Sequence, residues 1–413
     1  VTTDTGKATL LPSPLQAKGE RVASIDVFRG LTILGMIFVN DVAGVKGAPA
    51  WMKHVPPGVD GMTFVDVVFP AFLFIVGMAI PFALGRRAAK GDSLFALLGH
   101  VSVRTLGLLV VGVFMVNMPA DSAAMGMSPQ VWTLLVYSGV VLAWNIYPRE
   151  ERARRHVWTA LRLAGIALLA WCAVAYRGRA DGQIVHMRTM WWGILGLIGW
   201  AYLAGSLCYI LLHGQLAGMV GMIGVFTAMF IAKRTGGFDA LGPVNAYLDL
   251  GSQIGGHGSI VASGIVAGML FFPGSPAPAP GVRMRWMLAF GAGLAAAGFL
   301  LKPLYGISKN DATPAWCLLS AAWCCLVFVA VYGVMDIRGF TSWARFLKPA
   351  GENPLLAYVL PSIFYAVCGL LHLTPLTYHP QAALPGIARS LVFTAAMLAL
   401  TALLGRLRIR LRL

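Results

Sequence analysis

Twelve times along the chain an apolar run reaches, or comes close to, the roughly 20 residues that a helix needs to cross the hydrocarbon core of a bilayer. The runs fall at about 27–45, 64–84, 97–118, 130–147, 158–176, 191–212, 216–232, 259–273, 286–304, 315–335, 354–373 and 385–404. A backbone in lipid must satisfy its own hydrogen bonds, and segments of this length do so as helices. Of 413 residues, 58% are apolar and only 12% charged, which excludes an ordinary water-soluble enzyme. The expected fold is therefore all-α: a polytopic integral membrane helical bundle of about 10–12 transmembrane helices, forming one membrane domain over 21–404. The short run at 259–273 and the tight turn at 212–216 are the weakest parts of that reading.

The net charge of +16 would suggest nucleic acid in a soluble protein, but here the basic residues sit in short clusters between apolar runs. Such clusters set orientation in a bilayer, so no nucleic-acid partner is expected. Twelve crossings put both termini on one side. That side carries 20 basic residues, among them Arg86, Arg87, Arg149, Arg152, Arg345 and Lys348, against 8 in the opposite loops, so both termini are expected in the cytoplasm. Residues 1–20 read as a short disordered tail without a signal-peptide pattern, and 405–413 as a basic tail. The stretch PGSPAPAP over 273–280 reads as a Pro-rich cytoplasmic connector. The six cysteines all fall in apolar runs and give neither a disulfide framework nor zinc spacing, and no metal is expected. Small residues four apart, as at Gly264 and Gly268 or Gly291 and Ala295, point to close helix packing.

Polar side chains at membrane depth cost roughly 2.5–3.5 kcal/mol each when charged, so they are the first places to look for function. They gather at the non-cytoplasmic ends of the first two helices: Asn40 and Asp41 close the first, His54 lies in the loop, and Asp60 and Asp66 open the second. His54 is the member of this group able both to accept and to donate a proton near neutrality. A neighbouring carboxylate would fix its tautomer for acid–base or nucleophilic work. On spacing alone, His54 reads first as a headgroup-level loop residue beside Trp51 and Lys53, and Asp66 reads equally well as an ion-pair partner of Arg104 in the third run. His257 in the glycine-rich run Gly255-Gly256-His257-Gly258 reads as a solvated or capping residue ahead of the eighth helix.

The segments Ser24-Ile25-Asp26-Val27-Phe28-Arg29-Gly30, Phe38-Val39-Asn40, Lys53-His54 and Asp60-Gly61-Met62-Thr63-Phe64-Val65-Asp66 through Pro70 resemble a known family. It is that of the transmembrane acetyltransferases typified by lysosomal heparan-α-glucosaminide N-acetyltransferase and its bacterial relatives. Weaker likeness continues at Ala246-Tyr247-Leu248-Asp249, Lys309-Asn310, Val334-Met335-Asp336 and Gly351-Glu352-Asn353-Pro354. The family's active-site histidine falls on His54 and its asparagine at the end of the preceding helix on Asn40. Three departures stand out: Asp60 replaces the usual asparagine, His54 lies two residues further from the Asp60 motif, and Gln253 to Gly256 stand where acidic residues are expected.

The resemblance implies an acetyl-CoA-dependent N- or O-acetyltransferase, moving an acetyl group from cytoplasmic coenzyme to an amino sugar or related glycan on the other side. In it His54, Asn40, Asp60 and Asp66 would form the catalytic group. Arg29, Arg104, Arg345 and Lys348 would hold the coenzyme, and Asp41, Lys309 and Asn310 the acceptor. Acetyl-CoA is the donor substrate, and the lipid bilayer is the remaining partner, with a homodimer among the assemblies open to such a chain. A bacterial inner membrane is the expected location. The competing class is a secondary transporter for a small polar or sugar solute, for which twelve helices and buried Asp66 and Arg104 would also serve.

Overall fold

The computed structural model of the chain describes residues 22–118, 121–148, 155–272, 275, 277, 279–380 and 382–412. The tail expected over 1–20 lies outside the described residues, as do Arg149, Arg152 and Arg154 and, within the Pro-rich connector, residues 273, 274, 276 and 278.

Every one of the twelve apolar runs holds a helix. In chain order these are α1 (Ala23–Val42), α2 (Phe64–Ala89), α3 (Leu94–Val116), α4 (Pro129–Trp144), α5 (Arg155–Ala175), α6 (Ile194–Leu211), α7 (Leu216–Arg234), α8 (Leu250–Phe271), α9 (Pro280–Tyr305), α10 (Pro314–Ile337), α11 (Pro354–Leu370) and α12 (Ala383–Arg406). Among the described residues ten are long and apolar enough to cross a membrane, α11 joins the segment before it as a bent pair, and α4 is shorter. The protein is an all-α, polytopic integral membrane protein. Helices α4, α9, α10 and α11 each open on a proline, whose missing N–H costs nothing in a first turn. One short hairpin, Gly178–Ala180 with Gln183–Val185, is the sole sheet among the described residues.

The chain divides into two compact units. The first takes in the described residues up to Phe28, then His54–Leu106 and Leu197–Thr341. Its centre is α2 against α8, which is 89% buried and therefore needs no polar face. A side chain on Gly77 would strike the Val261 carbonyl, and side chains on Gly264 and Gly268 would strike the carbonyls of Phe74 and Met78. These glycines bring two backbones into contact, as their spacing implied. Helices α9 and α10 meet likewise, with Gly291 on Cys325 and Gly298 on Leu319. Asp336 at the end of α10 accepts the N–H groups of Ala23 and Ser24 at 2.9 and 3.0 Å, satisfying donors that the first turn of α1 leaves open.

Helix α8 starts nine residues before the run at 259–273, and this corrects the loop expected around Gly255 to Gly258. Leu250–Gly256 is wound as a π-helix and runs straight into His257–Phe271. Glycine is a poor helix former in water, which is why the segment reads as a loop. Here Gly255 lies on the Phe226 carbonyl and Gly256 on the Ala312 carbonyl, so packing decides. His257 is buried between Phe69 and Trp316, not solvated.

The second unit comprises Arg29–Lys53, Gly107–Gly196 and Ser342–Leu413. Helices α4 and α5 pack through Gly139 and Gly165, and Trp132 Nε1 donates to the Cys172 carbonyl at 3.0 Å. The 78° bend ahead of α11 falls at Asn353, where Pro354 prevents the helix from running through. The Asn353 amide then ties down the C-terminal segment, donating to the Ile409 carbonyl at 2.9 Å and accepting from Leu411 N–H at 3.0 Å.

Candidate active site

In the first unit, helix α2 is capped by Thr63, and its N3 residue is Asp66. One carboxylate oxygen, Oδ2, reaches back to the Thr63 N–H at 3.0 Å, closing a capping box, and also accepts from the Val55 N–H at 3.3 Å. The positive end of the helix favours a carboxylate at this position. Trp316 Nε1 donates to the Asp66 carbonyl at 3.2 Å, and the side chain is almost wholly buried. The other oxygen, Oδ1, lies 2.7 Å from His54 Nδ1. A carboxylate only accepts, so Nδ1 donates in this bond, and in the neutral imidazole the lone pair is left on Nε2. His54 itself is about half exposed, with 45% of its side chain accessible against 2% for Asp66. Asp66 therefore pairs with His54 and not with Arg104, whose guanidinium lies 4.8 Å over the ring of Tyr202.

Lys309 completes the group. Its Nζ stands 3.2 Å from Nδ1 and 3.1 Å from Nε2 of His54. The two ring nitrogens flank a carbon, so an atom at equal contact distance from both must lie over the ring face. The Lys309 loop, between α9 and α10, is fixed from two directions. Asp60 Oδ1 accepts the Ile307 N–H at 2.7 Å while the Gly61 N–H donates to the Ile307 carbonyl at 3.0 Å, and Ser308 N–H donates to Thr313 Oγ1 at 2.9 Å. Asp60 thus acts on Lys309 through the loop, and Asn310 is the exposed residue beside it. Withdrawal from water holds the Lys309 amine below the usual lysine value, and the Asp66 charge offsets part of that effect.

The second unit contains a polar group around Asp41. Arg389 Nη1 donates to both carboxylate oxygens at 2.5 and 2.6 Å, the Tyr365 hydroxyl donates to Oδ1, and His379 Nε2 is 3.2 Å from the same Nη1. Arg389 Nη2 donates to the Leu376 carbonyl at 2.8 Å. Beside this group opens a cavity of about 250 Å³, lined by Asn40, Asp41, Tyr358, Ser362, Tyr365 and His379 among others. Asn40 is exposed and Asp41 buried. Tyr365, His379 and Arg389 were missed in the sequence. A signal existed for Arg389, a cation inside the run at 385–404 that needs a partner.

Of the basic residues expected to hold a coenzyme, three share one place. Arg29 Nη1 donates to the Gly351 carbonyl at 3.2 Å, Gly30 packs on Leu347, and exposed Arg345 and Lys348 lie on that same segment. Arg104 belongs to the first unit.

A family model described as "Domain of unknown function (DUF5009)" matches residues 21–241. Heparan-alpha-glucosaminide N-acetyltransferase of Homo sapiens is 36% identical over 104 residues, which is 25% of this chain and 15% of that protein. The Mus musculus protein of the same name is 35% identical over 107 residues, 26% of this chain and 15% of that protein. The chain spans about 15% of the length of these curated relatives.

Proposed function

We propose, from the premise that this chain belongs to the DUF5009 family and resembles the heparan-α-glucosaminide N-acetyltransferases, that it is an integral membrane acetyltransferase with His54 at its reacting centre. Its donor is acetyl-CoA on the cytoplasmic side of a bacterial inner membrane, and its acceptor an amino sugar or related glycan on the opposite side. The observation that carries this reading is the bond from His54 Nδ1 to the buried Asp66 carboxylate. It fixes the tautomer that leaves a basic nitrogen on a half-exposed ring, the arrangement that proton abstraction or nucleophilic attack requires.

Two routes use that nitrogen. In direct transfer Nε2 takes the proton of the acceptor as its amine or hydroxyl attacks the thioester carbonyl, the C–S bond breaks, and the proton passes to the departing thiolate. In the stepwise route Nε2 attacks first, coenzyme A leaves, and an acetyl-imidazole hands the acetyl group to the acceptor. Asp66 stabilises the imidazolium that forms in either case. Arg29, Arg345 and Lys348 offer charge for the phosphates of the coenzyme. Lys309, over the ring face, and its exposed neighbour Asn310 are the residues we assign to the acceptor.

The test is release of coenzyme A thiol by detergent-purified wild type and His54→Ala, with and without glucosamine. Glucosamine-dependent release that falls at least about 10²-fold in the variant supports the reading. No release by folded protein, and no thermal stabilisation by acetyl-CoA, would move the assignment to a solute carrier.

A further inference from the structure

The acceptor of an acetyltransferase must bring a nitrogen or oxygen to the acyl carbon from above the carbonyl plane, at about 3–3.5 Å in a reactive arrangement. In the first unit an amine already stands over the ring that the acyl group must approach. Lys309 Nζ lies 3.1 Å from His54 Nε2, the position to which an acetyl group would be bonded or delivered, and it lies over the ring face. An acetyl group on Nε2 is conjugated with the ring and lies near its plane, so an amine over that face meets the carbonyl from the required side. The backbone just before Lys309 is tied down, because Asp60 and Gly61 bind Ile307, and Thr313 closes the loop on Ser308. Withdrawal from water, which lowers the lysine value, enlarges the share of neutral, nucleophilic amine.

We propose that Lys309 is an internal acetyl acceptor, and that in the absence of an external acceptor the protein acetylates its own Lys309 from an acetyl thioester. This rests on the acetyltransferase reading of His54. The neutral amine attacks the acetyl carbonyl and forms the C–N bond. The C–S bond of the thioester breaks in direct transfer, or the C–Nε2 bond in the stepwise route, and the electron pair leaves on sulfur or on Nε2. The amine proton goes to Nε2 and from there to the thiolate or to water. The products are Nε-acetyl-lysine and free coenzyme A thiol, with no oxidant or reductant consumed. The product amide is uncharged and fills the acceptor's place, so one round per chain ends the reaction, and an external acceptor protects the protein by reacting first.

The experiment is incubation of the full detergent-purified chain with ¹³C-acetyl-labelled acetyl-CoA without glucosamine, followed by peptide mass spectrometry and thiol measurement. Lys302 and Lys233 in the same digest report background chemical acetylation. The expected result is labelling of Lys309 at least about tenfold above both, lost in His54→Ala, with acceptor-free thiol release at least stoichiometric with the Lys309 label; Lys309→Arg carries no amide label and releases at most the one thiol per chain that an acetyl-imidazole on His54 accounts for. Thermal melting of each variant confirms folding. Equal labelling of the three lysines, or labelling that survives His54→Ala, overturns the proposal. Glucosamine-dependent thiol release without label on Lys309 overturns it while leaving the acetyltransferase reading intact. Neither release nor label overturns both.

Discussion

Asp66 in the first unit and Asp41 in the second are both buried carboxylates with a histidine beside them, His54 at 2.7 Å and His379 at 3.6 Å. What surrounds them differs in kind. Asp66 is held by backbone N–H groups at the start of α2, so its charge is stabilised without a cation bonded to it and acts on the imidazole. Asp41 spends both oxygens on Arg389, with Tyr365 as a further donor, and the imidazole of His379 meets the arginine at closer range than the aspartate. The first arrangement leaves a polarised, accessible base. The second is a closed ion pair that secures helix ends around a cavity. A buried Asp and a nearby His are therefore not enough to mark a reacting centre; the partner that neutralises the carboxylate decides.

The sharpest way to break this contrast is to remove charge from each aspartate in turn. In Asp66→Asn the amide oxygen still caps α2, but the NH₂ faces His54 Nδ1 and turns the ring to the wrong tautomer. Turnover is expected to fall about 10²–10⁴-fold, measured as thiol release, while stability changes by no more than about 1 kcal/mol. Asp41→Ala should behave in reverse as regards the fold, because Arg389, with only 18% of its side chain exposed, is left without its counter-ion. The expected loss is about 3–5 kcal/mol, read from thermal or denaturant unfolding in detergent. If Asp41→Ala melts like wild type, the second group is not a structural pair and the contrast fails.

A smaller effect sharpens the same point. Replacing both members of the pair, Asp41→Asn with Arg389→Gln, should restore part of what either single change loses. The coupling expected between contacting charged partners is about 0.5–3 kcal/mol in a double-mutant cycle. The corresponding cycle between Asp66→Asn and His54→Ala should show its coupling in turnover, since either change alone removes the same base.

The fold was legible because lipid leaves few choices: each apolar run became a helix, and glycines at four-residue spacing became backbone contacts, as between Gly264 and Phe74. The start of α8 was not legible, since the propensity of Gly251 to Gly256 argues for a loop and only the packing around them argues for a helix. In the candidate site, His54 and Asp66 could be named from the sequence, and the structure supplies their bond. Arg104 as the partner of Asp66 came from assuming that a buried carboxylate needs a cation; backbone donors at a helix start, signalled by Thr63 three residues before Asp66, meet that need instead. The contact of Lys309 with His54 spans 255 residues and rests on Asp60 holding a distant loop, which no local pattern encodes.

The smallest expected effect separates the two groups by titration. The cation of the second is an arginine, which stays charged at any working pH. That of the first is Lys309, whose amine is held below the ordinary lysine value by loss of water, against the pull of Asp66. Between the folded value and the unfolded one, about 10.4, the unfolded chain binds more protons than the folded chain. Stability contributed by this site therefore rises as pH increases through that interval, and the cost of burying an ammonium is felt below it. Melting temperature measured from neutral to alkaline pH should show this rise in wild type, superimposed on the titration of the remaining groups, and the difference from Lys309→Met should isolate it. His54 and Asp66 remain in the variant, so a difference curve flat across the alkaline range would mean that Lys309 is as well hydrated as a surface lysine. Lys309 would then hold no larger a share of neutral amine than a surface lysine.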